Sequence, residues 1–403
     1  MAFFREITSQ ARRATVDILH AGNIHRSSPW SPDVPEELTS WLPDLFDRFP
    51  ITFPWEKPKP VDPALHNVWI LDNTAFREGE KWKAEFVACY FIKGTGKDVS
   101  RAVAIIADSL DLNPDDEELQ KRIARRLQPF VDQVLPNRTL EVTVDGKETL
   151  KLGPSNQSGY SDDVRELGFE PSLPQIQTTA TNLPPPFGLE SVTHLTEPTG
   201  WAIISDIDDT IKITQTTSPL GILHNTFCVE QPLPVPGMPE LYADLTRKLN
   251  DPAFVYLSAS PYNLYPFLRA FRSQHFPSGP LILRDASWQN LGGLISSLSQ
   301  GTEEYKSDRI EKVHSWLPRK KVILIGDSTQ SDPEAYGACA RKFPGWVGAI
   351  FVRKVKGIAG MDEEKKNGEA RFERAFEGLE RGLWHVFEDP REVGEAVGRL
   401  VGQ

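Results

Sequence analysis

The chain has 403 residues, of which 39% are hydrophobic and 25% charged, a composition typical of globular proteins and not of disordered ones. Its net charge of −11 argues against bulk attraction to nucleic acid or to anionic membranes. The three cysteines, Cys89, Cys228 and Cys339, lie far apart, so the sequence indicates neither a disulfide framework nor a zinc site and favours a reducing compartment. The length predicts two or three domains.

The N-terminal residues predict an amphipathic helix. Apolar side chains recur at helical spacing over residues 3–19, and we assign residues 1–39 to this helix and the loop that follows it. Two interpretations stay open: the helix lies in a membrane interface, or it docks on the folded body. Because the sequence shows neither a signal peptide nor a segment long enough to span a bilayer, we expect a cytoplasmic protein with peripheral membrane contact.

Residues 40–190 predict a β-rich accessory domain with a helical insertion and no catalytic residues. The Asp145-Gly146 pair predicts a hairpin turn. Residues 171–188 are rich in proline and threonine and favour a rigid linker, with a polyproline ligand as the alternative. Strands are expected at 67–71, 84–92 and 139–144, and helices at 98–110 and 115–134, with Asp98 and Asp115 as N-caps.

Residues 191–403 change to an alternation of strands and helices. Short apolar strands separated by helices predict an α/β domain with a Rossmann-like parallel sheet of five strands. A charged helix is expected over 363–382, and residues 384–387 are a candidate edge strand. The five strands are expected at 201–205, 254–257, 281–283, 321–325 and 347–352, and the helices at 239–249, 264–274, 303–316 and 332–343.

The beginning of this half carries a dense group of carboxylates. The first strand ends in Asp206, Asp208 and Asp209, followed by Thr210. Carboxylates that directly follow a buried strand need compensation, and a divalent cation on oxygen ligands is the simplest kind. Asp209 is expected to be a hydrogen-bonding residue of the turn and not a ligand. Thr210 is expected either to offer a hydroxyl or amide to a phosphate or to cap the turn.

Later units of the same half add further polar groups. Ser258 follows the second strand, Lys306 lies near the start of a helix, and Asp327 ends the fourth strand with Asp332 five residues beyond. Because the carboxyl ends of parallel strands meet at one edge of a sheet, we expect these groups to converge. They suit phosphoryl transfer, in which magnesium and a lysine offset the phosphate charge, one carboxylate attacks phosphorus and a second transfers protons.

This set of residues resembles the haloacid dehalogenase superfamily of aspartyl phosphatases. Longer strings are similar to the fungal actin-patch phosphatidate phosphatase family. That resemblance implies a sheet of haloacid dehalogenase type and magnesium-dependent hydrolysis of phosphatidate to diacylglycerol near endocytic actin patches. The superfamily resemblance is carried by 206–210, 257–258, Lys306 and 326–332, and the closer one by 200–214, 256–266 (YLSASPYNLYP), 325–336 (IGDSTQSDPEAY) and 82–100 (WKAEFVACYFIKGTGKDVS).

The resemblance also implies roles for individual residues. Asp206 would be the nucleophile and Asp208 the acid and base. A magnesium ion would be held by Asp327, by the Asp206 carboxylate and by the main-chain carbonyl of Asp208.

The remaining implied roles concern phosphate binding and charge. Ser258 would hold a phosphate oxygen, and it is preferred to Ser260 because it directly follows the apolar strand. Lys306 would balance charge, and its preference over Arg309 follows from the family pattern alone. Asp332 would orient the lysine or a water on the metal.

The segment between Thr210 and the next helix is too short for a full cap domain and predicts a small flap. A weakly capped site suits bulky substrates, and we expect Ile222, Leu223 and Phe227 of this flap to touch the bilayer. The implied partners are phosphatidate at a membrane surface and actin-patch proteins, with no nucleic acid. Two other functions stay open: a phosphatase of the same mechanism acting on a phosphoprotein or soluble ester, and a catalytically silent adaptor.

Overall fold

The computed structural model describes residues 57–95, 98–113, 115–172, 174–185, 190–285 and 302–402. The helix predicted over 3–19 lies outside these residues. The described chain forms a mixed α/β structure with two β-sheets.

The first sheet is curled and has nine strands in the order β1-β5-β8-β9-β3-β4-β2, with β6 paired to β5 and β7 paired to β4. Two helices, α1 and α2, follow β4, as the predicted helical insertion requires. Their bounds are β1 Lys59–Pro60, β2 His66–Ile70, β3 Asn73–Glu78, β4 Lys81–Ile92, α1 Ser100–Ser109, α2 Glu117–Val131, β5 Arg138–Val144, β6 Glu148–Leu152, β7 Tyr160–Glu166, β8 Gln175–Ala180 and β9 Ser191–Thr196.

The hairpin predicted at Asp145-Gly146 is confirmed. Both residues have positive φ, 52° and 65°, which is the turn geometry that matches the twist of two antiparallel strands. The linker predicted over 171–188 is wrong, because β8 occupies much of it and pairs with both β5 and β9. Buried and exposed side chains alternate along β8, with Ile176 and Thr178 buried, as in a strand with one covered face. The cap of α2 is Asp116 and not Asp115.

The second sheet is entirely parallel and has six strands, in the order β12-β11-β10-β13-β14-β15. The prediction of five strands is therefore wrong by one. The sixth strand is the edge candidate at 384–387, which pairs with β14. The strands are β10 Trp201–Asp206, β11 Ala253–Pro261, β12 Leu281–Arg284, β13 Lys321–Asp327, β14 Val347–Arg353 and β15 Trp384–Phe387.

The helices of this half cover both faces of the sheet. The single helix predicted over 363–382 is wrong, because extended backbone at Gly368 divides it into α8 and α9. The C-terminal helix α10 was not predicted, and Asp389 caps it with a reciprocal bond to Glu392. The helices are α3 Pro219–Leu223, α4 Met238–Lys248, α5 Tyr265–His275, α6 Thr302–Trp316, α7 Asp332–Lys342, α8 Glu363–Asn367, α9 Glu369–Ala375 and α10 Pro390–Val401.

The interface between the two halves contains a buried polar cluster beside apolar contacts. Asp72, which is 3% exposed, accepts hydrogen bonds from the guanidinium groups of Arg269 and Arg272 on α5. Its backbone N–H donates to the Tyr265 hydroxyl at 2.7 Å. A charge buried at this depth is stable only because it is paired, so the interface depends on this cluster.

The three apolar residues predicted to form a membrane-facing rim on the flap after Thr210 do not lie at the surface. Ile222, Leu223 and Phe227 are each 0% exposed and belong to the hydrophobic core, so that expectation is wrong. The Phe227 ring packs edge-on against Phe130 of α2, with centroids 6.0 Å apart. The apolar spacing marked a helical segment, α3 and the turn after it, that packs inward against the first half.

Candidate active site

The predicted polar groups do converge at the carboxyl edge of the second sheet. In the register of the central strands, Asp206 of β10 lies opposite Leu257 of β11, and Ser205 lies opposite Ile325 of β13. The ends of these three strands therefore lie side by side, which is where ligands bind in open α/β sheets.

Asp206 is fully buried and held at both oxygens. The Lys306 ammonium donates to its Oδ1 at 2.6 Å, and the Thr210 hydroxyl is 2.9 Å from its Oδ2. Lys306 also donates to Asp332, so one buried cation joins two buried carboxylates. Lys306 is thus where the sequence placed it, whereas Arg309 points to Asp285 at 3.5 Å.

Asp208 has a different set of partners, although it lies only two residues away. Its Oδ2 accepts a hydrogen bond from the Ser258 hydroxyl at 2.6 Å, and the Ser260 hydroxyl is 3.4 Å from the same oxygen. Its Oδ1 accepts from the Thr214 hydroxyl at 2.8 Å. Ser258 thus makes the shorter contact, but the structure brings both serines to Asp208.

Asp327 completes the group on the side of β13. Its Oδ2 lies 3.1 Å from the Thr210 hydroxyl, and its Oδ1 accepts from the Thr329 backbone N–H at 2.6 Å. The Asp327 backbone N–H donates to Asp332 Oδ2 at 2.9 Å, which fixes the beginning of α7 against the strand.

Asp209 shapes the turn. Its φ is 63°, and its carboxylate accepts hydrogen bonds from the backbone N–H groups of Thr214, Gln215 and Thr216 at 2.6 to 2.9 Å. This is the local role expected from the sequence. Arg353 of β14 donates to the Asp209 carbonyl at 2.7 Å and ties the turn to the sheet.

The loop after Asp327 is held from outside by Arg371 of α9. Its guanidinium donates to the backbone carbonyls of Ser328 and Gln330 and pairs with Glu334. A guanidinium suits this task because its fork of donors reaches several acceptors at once. No sequence motif pointed to Arg371, since it lies 44 positions after Asp327.

Burial dominates the electrostatics of the site. It raises the pKa of Asp206 well above its ordinary value, and the Asp332 carboxylate raises it further, although Lys306 opposes both. Burial and then Asp332 also raise the pKa of Asp327. Burial lowers the pKa of Lys306, but its carboxylate neighbours outweigh that effect and raise it on balance. The carboxylates therefore outnumber the cations that contact them.

These residues fit a hard divalent cation. Oxygens of Asp206, Asp327 and Asp332 all lie within 4.8 Å of one another, and all three residues are buried. The Thr210 hydroxyl has a single proton, yet it lies within hydrogen-bond distance of both Asp206 and Asp327. A cation on the oxygens of these two carboxylates would relieve their repulsion. Magnesium binding by Asp206 and Asp327 stays a prediction.

Several residues at the site were not predicted. Thr214 contacts Asp208 directly, and Lys212 contacts it through Thr214. The hydroxyl groups of Thr216 and Thr329 lie 2.9 Å apart. The threonine-rich run at 214–217 was the only available signal. Gly326 is required for space, because a Cβ there would lie 2.4 Å from Asp332 Oδ2.

Comparison with known proteins agrees with this arrangement. Residues 201–354, which include the whole carboxylate cluster, match a family model described as the catalytic domain of phosphatidate phosphatase APP1. The chain is also 30% identical over 256 residues to phosphatidate phosphatase APP1 of Saccharomyces cerevisiae, an alignment that covers 60% of this chain and 43% of that protein.

A second relative comes from another yeast. The chain is 27% identical over 161 residues to the uncharacterized protein C29B5.04c of Schizosaccharomyces pombe, covering 39% of this chain and 25% of that protein. The chain thus spans less than half the length of either curated relative. Among the described residues, no helix is both long enough and apolar enough to cross a membrane.

Proposed function

We propose that this chain is a magnesium-dependent phosphatidate phosphatase that forms an aspartyl-phosphate intermediate on a sheet of haloacid dehalogenase type. The observation that carries the proposal is the division of partners between two neighbouring carboxylates: Asp206 contacts a lysine, and Asp208 contacts hydroxyl groups. Two carboxylates in different surroundings can take different chemical roles.

Asp206 is the nucleophile in this mechanism. Lys306 holds its Oδ1, so the carboxylate stays oriented while one oxygen attacks phosphorus. The phosphorus–oxygen bond to the glycerol breaks, and Asp208 donates a proton to the departing alkoxide. Asp208 then accepts a proton from water, and the resulting hydroxide attacks the phosphoryl group, which frees Asp206 and inorganic phosphate.

The other residues bind and orient. The Ser258 hydroxyl, now on Asp208, is placed to bind a phosphate oxygen, and Thr210 lies between the two metal-facing carboxylates. Asp332 holds Lys306 in place. Magnesium would be held by the carboxylates of Asp206 and Asp327 with the Asp208 main-chain carbonyl, and when bound it supplies positive charge to the phosphate oxygens.

The lipid substrate is supported by the family match over 201–354 and by the activity for which the Saccharomyces relative is named. Phosphate release should be measured with phosphatidate in mixed micelles and, in parallel, with phosphopeptides and a soluble aryl phosphate. Faster turnover of the peptides would contradict the lipid assignment and favour a phosphoprotein phosphatase. Localisation at actin patches and binding to actin-patch proteins are supported by the sequence resemblance alone.

The carboxylates themselves give the first prediction. Asp206→Asn and Asp208→Asn should each lower turnover by about 10³-fold or more, because each substitution keeps the shape of the side chain and removes its charge. Both variants should remain folded, because each substitution keeps the shape of the side chain. Phosphate release and thermal unfolding measure both effects. Full activity in either variant would refute the mechanism and favour the silent adaptor.

A further inference from the structure

We infer that Lys212 is a positioning residue of this site, which acts through the Thr214 hydroxyl to hold the Asp208 carboxylate with Oδ2 directed at Ser258. The inference deepens the proposed function and rests on it, because Asp208 is the proton-transfer group there. No role was predicted for Lys212 from the sequence.

The first observation is the burial of the Lys212 ammonium. The side chain is 1% exposed and is among the largest fully buried side chains of the described residues. Within the described part of the chain no carboxylate lies within 4.0 Å of its Nζ, whereas Lys306 has two such partners. An ammonium group is rarely buried without a counter-charge in contact, so its hydrogen bonds must account for its position.

The second observation is the direction of those hydrogen bonds. Lys212 Nζ donates to Thr214 Oγ1 at 2.8 Å, and Thr214 Oγ1 lies 2.8 Å from Asp208 Oδ1. An ammonium has donors only, so Thr214 must accept from Lys212. The single Thr214 proton is then directed to Asp208 Oδ1, since the competing acceptor, the Lys212 carbonyl, is 3.5 Å away.

The consequence concerns the two oxygens of Asp208. With Oδ1 held by Thr214, the carboxylate presents Oδ2 to Ser258 at 2.6 Å, on the side where the phosphate is proposed to bind. Without Lys212, the Thr214 hydroxyl can rotate and accept a hydrogen bond instead of donating one to Asp208. The Asp208 carboxylate is then free to turn. Lys212 therefore fixes the orientation from which Asp208 reaches the leaving group.

The third observation is that the backbone holds Lys212 in register with the motif. Its N–H donates to the Ile207 carbonyl at 2.9 Å, and its carbonyl accepts from the Asp209 N–H at 2.7 Å. Its ammonium also lies 5.5 Å from the centre of the Phe267 ring, which offers a weak electrostatic attraction. The side chain is thus anchored at both ends.

The kinetic test is a double-mutant cycle between Lys212→Met and Thr214→Val. Each single variant should lower kcat about 10-fold or more on phosphatidate micelles, with KM changed less than about two-fold, because orientation and not binding is lost. The double variant should be no worse than the more impaired single variant, since both changes break one chain of bonds. Thr214→Ser, which keeps the hydroxyl, should retain most of kcat.

The matched control is Lys320→Met. Lys320 is 7% exposed and donates to the carbonyls of Thr199 and Trp201 near the opposite end of β10. Its loss should lower the melting temperature and leave kcat unchanged. If Lys212→Met fails to fold, the test is the comparison of kcat between Thr214→Val and Thr214→Ser, because both variants keep Lys212.

Three results would overturn the inference: an unchanged kcat in Thr214→Val, a double variant whose loss is the product of the single losses, or a Thr214→Ser variant as impaired as Thr214→Val. Crystal structures of Lys212→Met and Thr214→Val add a readout that needs no substrate, in which the Asp208 carboxylate should be turned from Ser258. If wild-type protein does not hydrolyse phosphatidate, the proposed function fails, and the orientation of Asp208 in those structures still decides the role of Lys212.

Discussion

Gly326 shows how closely the individual residues of this site are packed. It lies directly before Asp327, and a Cβ built on it would meet the Asp332 carboxylate oxygen at 2.4 Å and the Tyr336 hydroxyl at 2.7 Å. That hydroxyl in turn donates to the Ile325 carbonyl at 3.0 Å. No space is free for a side chain at position 326, because the Asp332 carboxylate, which also holds Lys306, occupies that space.

We predict that Gly326→Ala lowers kcat about 10²-fold, because the added methyl group displaces Asp332 and with it Lys306. The measurement is phosphate release under saturating substrate, alongside thermal unfolding. Gly345→Ala serves as the comparison for a loop glycine, since nothing lies within 4 Å of its Cβ position, although its φ of 78° costs some stability. Wild-type kcat in Gly326→Ala would mean that Asp332 is not needed where the structure places it.

The element that most alters the interpretation of this protein is α2. Arg126 of this helix donates to the backbone carbonyls of Thr226, Val229 and Glu230, and Arg122 donates to the Cys228 carbonyl. The segment after Thr210 therefore ends against a helix of the first half. That contact ties the helical insertion to the half that carries the carboxylate cluster.

We expect Arg126→Met to lower the free energy of unfolding by about 1–3 kcal/mol, because three carbonyl groups lose a charged donor while most of the side-chain volume remains. Limited proteolysis should then cut between residues 224 and 235 faster than in the wild-type chain. Arg125→Met is the matched control, since Arg125 is exposed on the same helix. Equal proteolysis of the two variants would argue that α2 does not hold this segment.

At the scale of the whole molecule, buried charged residues join the two halves of the protein. Glu85 of β4 is 4% exposed and pairs with Lys312 of α6, which also contacts Asp162 of β7. Burial raises the pKa of Glu85 from 4.5 to about 8, with Lys312 opposing and Asp162 adding to the increase. Between those pH values the folded chain holds a proton that the unfolded chain releases.

This pKa gives a prediction for stability against pH. The contribution of Glu85 is fully present below pH 4.5 and is lost as the pH rises through about 8. Compared with Glu85→Gln, the wild-type chain should therefore lose on the order of 2–4 kcal/mol of unfolding free energy across this window. Urea unfolding at four pH values measures the difference, with Glu166→Gln on the exposed Lys81 pair as control. Parallel curves for wild type and Glu85→Gln would contradict the prediction.

The carboxylate motif, Ser258 of β11 and the acids of β13 and α7 could be identified from sequence because each lies near the end of an apolar strand. The lysine of α6 was selected by the family resemblance. Local rules also predicted the Asp145-Gly146 hairpin and most strands of the parallel sheet. These features depend on neighbours in the chain, so the pattern of residues contains them.

Other features depend on contacts between distant parts of the chain, and these could not be predicted. Ile222, Leu223 and Phe227 are buried because the segment packs against α2, which lies about 100 residues earlier in the chain. In the sequence alone, an apolar segment at the surface and one packed in the core look alike. The pairing of β8 is decided by its partner strands and not by its own composition. The amino-acid sequence by itself predicted which polar residues converge at the site. Tertiary structure decided which further side chains surround them, because hydrogen bonds such as those of Lys212 and Arg371 form only after packing brings their partners within reach.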